Sequence, residues 1–235
     1  MDKAAVKAQV LEAFNFRHAC KRFDDQKSIE ADDFDFILET GRLSPTSFGM
    51  QGCRMIVITD PALKAGIKKA AWNQDQVDSC SHLVVYLTRT KALEPGSDWV
   101  KSRFADRGMP QDRQEAYYKR YSDFHGDLQS RLAGMFKRGF VNFFYALFHK
   151  DHGPRELYHW GAKQCYILLG NMMSAAAMIG IDSCPLEGFS KNSIEEILSL
   201  DTAQEEVVVM AAFGYRAGEG SVKRRLSLET LCQWR

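Results

Sequence analysis

The sequence lacks the short motifs by which several large enzyme classes are identified. It contains no GxGxxG fingerprint of a Rossmann dinucleotide site, no GxxxxGKS/T phosphate loop and no GxSxG nucleophile elbow. It also contains no HExxH zinc motif and no EF-hand loop. A function therefore has to be inferred from residues that are scattered along the chain.

The chain also has little net charge and no clustered cysteines. Its formal net charge is +1, which gives no electrostatic case for binding nucleic acid or an acidic membrane. The six cysteines form no CxxC pair, which favours free thiols in a reducing compartment over disulfides or a zinc site. Residues 1–4 lack the apolar region of a signal peptide, so we expect a cytoplasmic protein without a metal.

The pattern of apolar residues predicts one α+β domain over residues 1–235, with a small central mixed sheet surrounded by helices. Strand 205–215 is apolar on both faces and should lie in the centre of the sheet. Further strands, both buried, are predicted at 55–59 and 82–87, with a short strand within 180–189. Helices are predicted at 2–14, 28–43, 61–71, 98–150 and 154–179, and from a cap at Asn192 or Ser193 to Leu200.

The segment from about 95 to 150 is predicted to be a helical insert with a charged, exposed middle and an aromatic end. Phenylalanines crowd 136–148, where they either pack in a core or form a wall over an aromatic ligand. His149 and His152 have a spacing suggestive of a metal site, but no set of acidic ligands lies nearby. Cys184 is either a reactive thiol or, as free cysteines usually are, a small buried residue.

Two basic groups lie near opposite ends of the chain. Residues 16–23, FRHACKRF, place four cation-capable side chains within six positions, and residues 223–225 are Lys-Arg-Arg. Each group taken alone is most simply a solvated basic surface. If the two groups converge in space, they form a site for an anion such as a phosphate.

Several stretches, taken in order, resemble the FMN-dependent NAD(P)H nitroreductases of the oxygen-insensitive type. The similarity covers nearly the whole chain except the insert. The stretches are 16–24 (FRHACKRFD), 42–47 (RLSPTS), 81–86 (SHLVVY), 162–166 (AKQCY), 180–189 (GIDSCPLEGF) and the basic group at 223–225.

The resemblance implies a bound FMN and assigns residues to it. Four residues would bind the phosphate, ribityl chain and pyrimidine side of the flavin: Arg17, His18, Ala19 and Lys21. The tail would close on the phosphate through Lys223 and Arg225. The backbone of a turn would meet flavin N5 and O4, at Pro185, Leu186, Glu187 and Gly188. Polar ring contacts would come from Asn73 and Gln76, and a loop of the other subunit would cover the flavin with Pro45, Thr46, Ser47 and Gly49.

The resemblance further implies an intertwined homodimer with FMN sites at the subunit interface. NADH or NADPH would give a hydride to the flavin, and a nitroaromatic or quinone would then take two electrons in a ping-pong mechanism. Phe124, Phe140 and Phe144 are candidate substrate-wall residues, and no side chain is expected to be an indispensable acid or base. The alternatives are a flavin sensor or store, a relative that reduces a pteridine or enone, and a helical interaction protein.

Two departures from the family pattern concern the ring. Phe48–Cys53 replaces the usual Asn-Ser-Gln-Pro-Trp stretch, which affects any contact from Gly49. Gln76 stands where some members have lysine, which would remove a positive charge near the pyrimidine.

Overall fold

A computed structural model describes residues 2–126, 156–220 and 222–235. Strands β1 to β4 are Cys53–Ile58, His82–Thr88, Asp182–Leu186 and Glu206–Gly214. Helices α1 to α9 are Lys3–Phe16, Ala31–Arg42, Pro61–Ala70, Gln76–Ser79, Asp98–Ala105, Gln111–Gly126, Glu156–Met178, Lys191–Ile197 and Leu228–Leu231, with a short 3-10 helix at Ser47–Gly49.

The four strands form one sheet in the order β1-β2-β4-β3, and all three pairings are antiparallel. The mixed character expected from the sequence is confined to a parallel bridge between Ala19 and Ser183, outside the named strands. Strand β4 lies between β2 and β3 and is almost wholly buried, as its continuous apolar run predicts. Strand β1 was expected to be buried but is an edge strand, with Val57 exposed.

Short polar side chains fix several helix starts. The Asp2 carboxylate accepts from the Ala4 N–H at the start of α1. Asp60 caps α3, and Pro61 occupies the first helical position, as predicted. The cap of α8 is Ser190, whose hydroxyl accepts from Ser193 N–H, so the prediction of Asn192 or Ser193 as the cap was wrong.

A layer of helices covers each face of the sheet. Helices α3 and α8 bury Ile67 and Ile194 against one face. Helices α2 and α7 bury Ile37 and Met172 against the other. Because helices cover both faces, the centre of the sheet is buried from solvent. Ligand sites can therefore form only along the edges and ends of the sheet. No helix within the described ranges is long and apolar enough to cross a membrane.

The described part of the insert consists of two helices, not one. Helices α5 and α6 are separated by 106–110, where Gly108 has φ +61°. Together with residues outside the two helices they form a third core, which consists of Met50, Leu93, Val100, Phe104, Tyr121 and Trp160. The rest of α6 is largely exposed, as its charge predicts, whereas the phenylalanine run at 136–148 and the histidines at 149 and 152 lie outside the described residues.

Candidate functional site

The first basic group is an extended segment that leaves the end of α1 and runs beside β3. Cys20 N–H donates to the Ser183 carbonyl at 3.3 Å, next to the parallel bridge. Cys20 and Phe23 point into the core, so the segment is anchored there although its cations are not. No helix begins in this segment; α1 ends at Phe16 and presents its carbonyl end here.

The second basic group folds back onto the first. The Lys223 ammonium donates to the carbonyls of Phe14 and Arg17 at the end of α1. Its pKa is lowered, first by burial and then by the charges of Arg17 and Arg225. Among the described residues, no carboxylate forms an ion pair with any of these three cations. The two basic groups therefore converge and create a local excess of positive charge.

A buried carboxylate orders the cations beside this cluster. Asp182 at the start of β3 is 2.6 Å from the Arg216 guanidinium and 3.5 Å from His18 Nδ1. The Arg216 guanidinium also lies 4.1 Å from the centroid of the Phe16 ring. Sequence reasoning missed Asp182 and Arg216; the available signal was an acid at the start of a short, otherwise uncharged strand.

Lys21 lies one step further along β3, with its ammonium 3.7 Å from Cys184 Sγ. Burial raises the pKa of the Cys184 thiol, although Lys21 opposes the effect. Burial likewise raises the pKa of Cys20 to about 11. Both thiols are therefore protonated at neutral pH, and Cys184 is the small buried residue, not the reactive thiol. Residues 18–22 and 216–219 line a groove of about 610 Å³ here.

The far end of β3 leads to the turn at Gly188. A Cβ atom on Gly188 would lie 2.7 Å from Cζ3 of Trp72, so the indole packs directly on this backbone. Gln74 Nε2 donates to the Gly188 carbonyl at 2.7 Å, and Gln76 Nε2 donates to Gln74 at 2.7 Å. Gln76 is buried, so it supports Gln74, whereas Asn73 is exposed with φ +58°.

Trp72, beside the Gly188 turn, is another residue that sequence reasoning missed. Its side chain is 70% exposed and its backbone φ is +55°. An exposed tryptophan in a left-handed conformation, packed on a glycine, is an unusual surface feature. It makes the Gly188 turn a candidate platform for a flat ring.

The same turn is tied to α7. Tyr166 donates its phenolic hydrogen to Glu187 Oε1 at 2.6 Å. Burial, followed by this bond and the Glu187 charge, raises the pKa of Tyr166. Leu186 is buried in the core, while Pro185 is partly exposed. The backbone of the turn is therefore held from both the helical layer and the α3–β2 connection.

The 45–49 loop lies apart from the Gly188 turn and contacts another part of α7. Ser47 N–H donates to Gln164 Oε1 at 2.8 Å, and Thr46 Oγ1 accepts from Gln51 N–H. Gly49 is exposed with φ +57°, and Pro45 is exposed. Phe124 is 57% exposed, with its ring centroid 6.2 Å from that of Phe48. The other candidate wall residues, Phe140 and Phe144, lie outside the described residues.

Helix α7 separates this loop from the Gly188 turn. The loop contacts Gln164 and the turn contacts Tyr166, two positions later. Two residues in an α-helix are turned by about 200°, so the two contacts face nearly opposite sides of α7. One chain therefore brings the basic groups, β3 and the Gly188 turn together, but not the 45–49 loop.

Comparison with known proteins identifies the family. A family model described as Nitroreductase family matches residues 15–215. The chain belongs to the nitroreductase family. A Bacillus subtilis protein named "Putative NAD(P)H nitroreductase YfkO" is 38% identical over 239 residues, covering 98% of this chain and 99% of its own.

Solved structures show the same fold at lower sequence identity. A nitroreductase-type protein of Bacillus subtilis, ydfN, is 19% identical, with a TM-score of 0.74 and complete coverage of both chains. A structure from Exiguobacterium sibiricum, titled as a putative nitroreductase in complex with FMN, is 20% identical with a TM-score of 0.70. It covers 96% of this chain and 97% of that chain.

Two surfaces bear on the function of this family member: the groove beside β3 and the 45–49 loop. Among the residues that the structure describes, no group of three His, Cys, Asp or Glu side chains is arranged to hold a metal ion. The groove offers cations and backbone groups, and the Gly188 turn beyond the end of β3 carries an indole. Together these are the features of a site for an anionic ligand with an aromatic ring.

Proposed function

We propose that the protein is an FMN-dependent oxidoreductase that takes a hydride from NADH or NADPH and reduces nitroaromatic or quinone acceptors. The observation that carries the proposal is the convergence of Arg17, Lys223 and Arg225, whose mutual repulsion contributes to the lowered pKa of Lys223. Unpaired like charges are costly unless an anion compensates them. The phosphate of FMN supplies that anion.

The order of groups along β3 supports FMN over a bare phosphate. The unpaired cations and His18 lie at the Asp182 end, Lys21 in the middle and Gly188 at the far end. We assign the phosphate to the Arg17 end, with Ala19 beside the ribityl chain. The flavin ring then lies near Gly188, where the turn's backbone approaches it and Asn73 borders it.

We propose one change of role among the residues assigned to FMN. Gln76 is buried and bonded to Gln74, so we propose that it holds Gln74 on the turn without touching the ring. When bound, FMN supplies the chemistry of accepting a hydride and passing on two electrons. Lys21 is placed to stabilise the negative charge of the reduced flavin.

We propose that the working unit is a homodimer, because one chain leaves the groove open. The 45–49 loop faces the other side of α7, so Pro45, Thr46, Ser47 and Gly49 would cover the groove of a second copy. The surface available for pairing is apolar: Tyr166, Ile167 and Met178 of α7 are exposed. The tail adds Leu226, Leu228, Leu231 and a Trp234 side chain that is 97% exposed.

The chain's residues bind and position the reactants, and no side chain is assigned as an acid or base. The nicotinamide stacks where the acceptor later binds, which gives a ping-pong order. Phe124 lies beside the Phe48 ring of the covering loop. Both rings would border the acceptor. We also propose Phe140 and Phe144 as residues of the wall around the acceptor.

The visible spectrum of the purified protein tests the proposal, recorded before and after adding NADPH, then NADH, without oxygen. The expected result is a flavin absorption that bleaches with one of the two donors and returns when a quinone is added. A flavin that neither donor bleaches would contradict the oxidoreductase and support a flavin store. No flavin after incubation with FMN would remove the cofactor site itself.

A further inference from the structure

The 45–52 loop holds an unusual concentration of left-handed backbone. Phe48, Gly49 and Gln51 have φ values of 51°, 57° and 50°. Two of these three residues are not glycine, and each such residue is strained in this conformation unless its surroundings hold it. The loop's own sequence therefore does not explain its shape.

Two residues of the insert, one on helix α5 and one just beyond its end, hold the loop in this conformation. The Arg107 guanidinium, just beyond the end of α5, donates to the Phe48 carbonyl. The Trp99 indole N–H donates to the Met50 carbonyl at 2.8 Å. These two donors hold alternate carbonyls on the left-handed stretch.

Both donors are themselves fixed by stacking. The Arg107 guanidinium lies 4.6 Å from the Phe104 ring centroid and 5.9 Å from that of Tyr117. The Trp99 ring lies between two arginines, Arg89 at 4.8 Å and Arg103 at 5.4 Å. Donors held in this way lose little conformational entropy when they bond to the loop.

The side chains of the loop enter the same assembly. Met50 is buried in the core of α5, α6 and Trp160. The Phe48 ring packs edge-on against Tyr121 with centroids 5.4 Å apart. A Cβ atom on Gly49 would lie 3.2 Å from the Arg107 guanidinium, so glycine leaves room for that group.

We propose that Arg107 and Trp99 are positioning residues that clamp the 48–51 backbone and so set the covering loop over the partner's cofactor groove. The inference rests on the proposed function, in which the 45–49 loop covers a flavin. It gives the insert a specific role, because the two hydrogen bonds from Arg107 and Trp99 to the loop backbone would fix where the cover lies and how the acceptor is admitted.

The test compares Arg107→Met with Arg120→Met in the full-length protein as purified. Arg107→Met removes the donor and keeps an aliphatic stem on Phe104. Arg120, on α6, stacks on Tyr117 at 5.7 Å and has no described bond to the loop, which makes it the matched control. Trp99→Phe removes only the indole donor and serves as a second variant if Arg107→Met fails to fold.

Two measurements are made on each variant. The rate of chymotrypsin cleavage after Phe48, well below the melting temperature, reports the loop directly and requires no flavin. Steady-state kinetics with a quinone report the site. We expect Arg107→Met and Trp99→Phe to raise the cleavage rate and the acceptor KM, with kcat nearly unchanged. The increase should be about tenfold for Arg107→Met, which loses a hydrogen bond from a charged group, and about two- to tenfold for Trp99→Phe, which loses a neutral one.

The outcomes are distinct. Arg107→Lys should restore part of the protection, because the ammonium can reach the same carbonyl. Cleavage at the wild-type rate in both clamp variants would overturn the clamp. Faster cleavage with an unchanged KM would overturn the positioning role, as would an equal effect of Arg120→Met. If the wild-type protein binds no FMN, the proposed function fails, while the cleavage rates still decide the clamp.

Discussion

At the scale of residues, the site depends on which cations are paired and which are not. Arg216 is neutralised by the buried Asp182 carboxylate, so it orders His18 and the Phe16 ring and adds little free charge. Among the described residues, Lys223 has only backbone carbonyls as partners and two neighbouring arginines. This difference is why we propose a structural role for Arg216 and a ligand-binding role for Lys223.

Arg225→Gln should weaken FMN binding by at least about tenfold, the effect of losing one hydrogen bond to a charged group. Within the described residues its guanidinium donates only to the Arg224 carbonyl, so the fold should tolerate the change. Arg224→Gln is the control, since Arg224 is an equally exposed neighbour that is not assigned to the phosphate. Flavin fluorescence titration measures both, and equal dissociation constants for the two variants would contradict the phosphate contact.

Lys223 makes FMN affinity depend on pH in a defined direction. Its pKa in the FMN-free protein is below the ordinary 10.5, and binding the phosphate dianion raises it again. Binding therefore takes up a proton, so affinity should be constant below the lowered pKa and fall as pH rises through it. Titrations from neutral pH into the alkaline range check this; a Lys223→Gln variant with the same pH profile would exclude Lys223 as the source.

At the scale of elements, α7 organises the site by separating its parts. It touches β2, β3 and β4 and the Gly188 turn on one side, and the 45–49 loop on another. Its approach to the sheet is unusually close at Gly161, where an added Cβ would lie 1.9 Å from Thr88 Oγ1. This glycine sets the distance between the helix and β2.

Gly161→Ala should therefore lower the free energy of unfolding by about 1–3 kcal/mol, the range for overpacking a close contact. Gly66→Ala on α3 is the matched control, because a Cβ atom there meets nothing within 4 Å. That change should stabilise the protein by about 0.5–1 kcal/mol through helix propensity. Urea denaturation measures both, and a neutral Gly161→Ala would show that the helix can move away from the strand without cost.

At the scale of the whole molecule, exposed apolar surface predicts a second copy of the chain. Gly170 lies four residues after Tyr166 and three after Ile167, on the same exposed face of α7. No described residue of its own chain lies within 4 Å of the position of a Cβ there. We therefore expect a larger residue at this position to be crowded by a partner.

Gly170→Leu should accordingly weaken dimerisation by about tenfold or more, equivalent to ~1.4 kcal/mol. Gly66→Leu, which also has free space around it but lies on α3, should leave dimerisation unchanged. Sedimentation at a series of concentrations measures the association. A dimer of unchanged affinity in Gly170→Leu would mean that this face of α7 is not the interface.

Much of the fold could be read from local patterns. Continuous apolar runs located β2 and β4, and Asp60-Pro61 located the start of α3, because burial and capping are encoded in neighbouring residues. The edge position of β1 could not be read, since strand order depends on long-range pairing. The cap at Ser190 was missed because several hydroxyl and amide side chains there are equally suitable locally.

The same distinction between local patterns and long-range contacts applies to the site. The sequence was sufficient to indicate an anion site, because two basic groups in a nearly neutral chain are visible without coordinates, and its motifs indicated the family. Only the tertiary structure showed that Arg17 and Lys223 meet, that Asp182 neutralises Arg216, that Trp72 packs on Gly188 and that Arg107 holds the 48–51 backbone. Each of these contacts joins residues distant in sequence, and side-chain type alone does not specify which distant groups will share a surface.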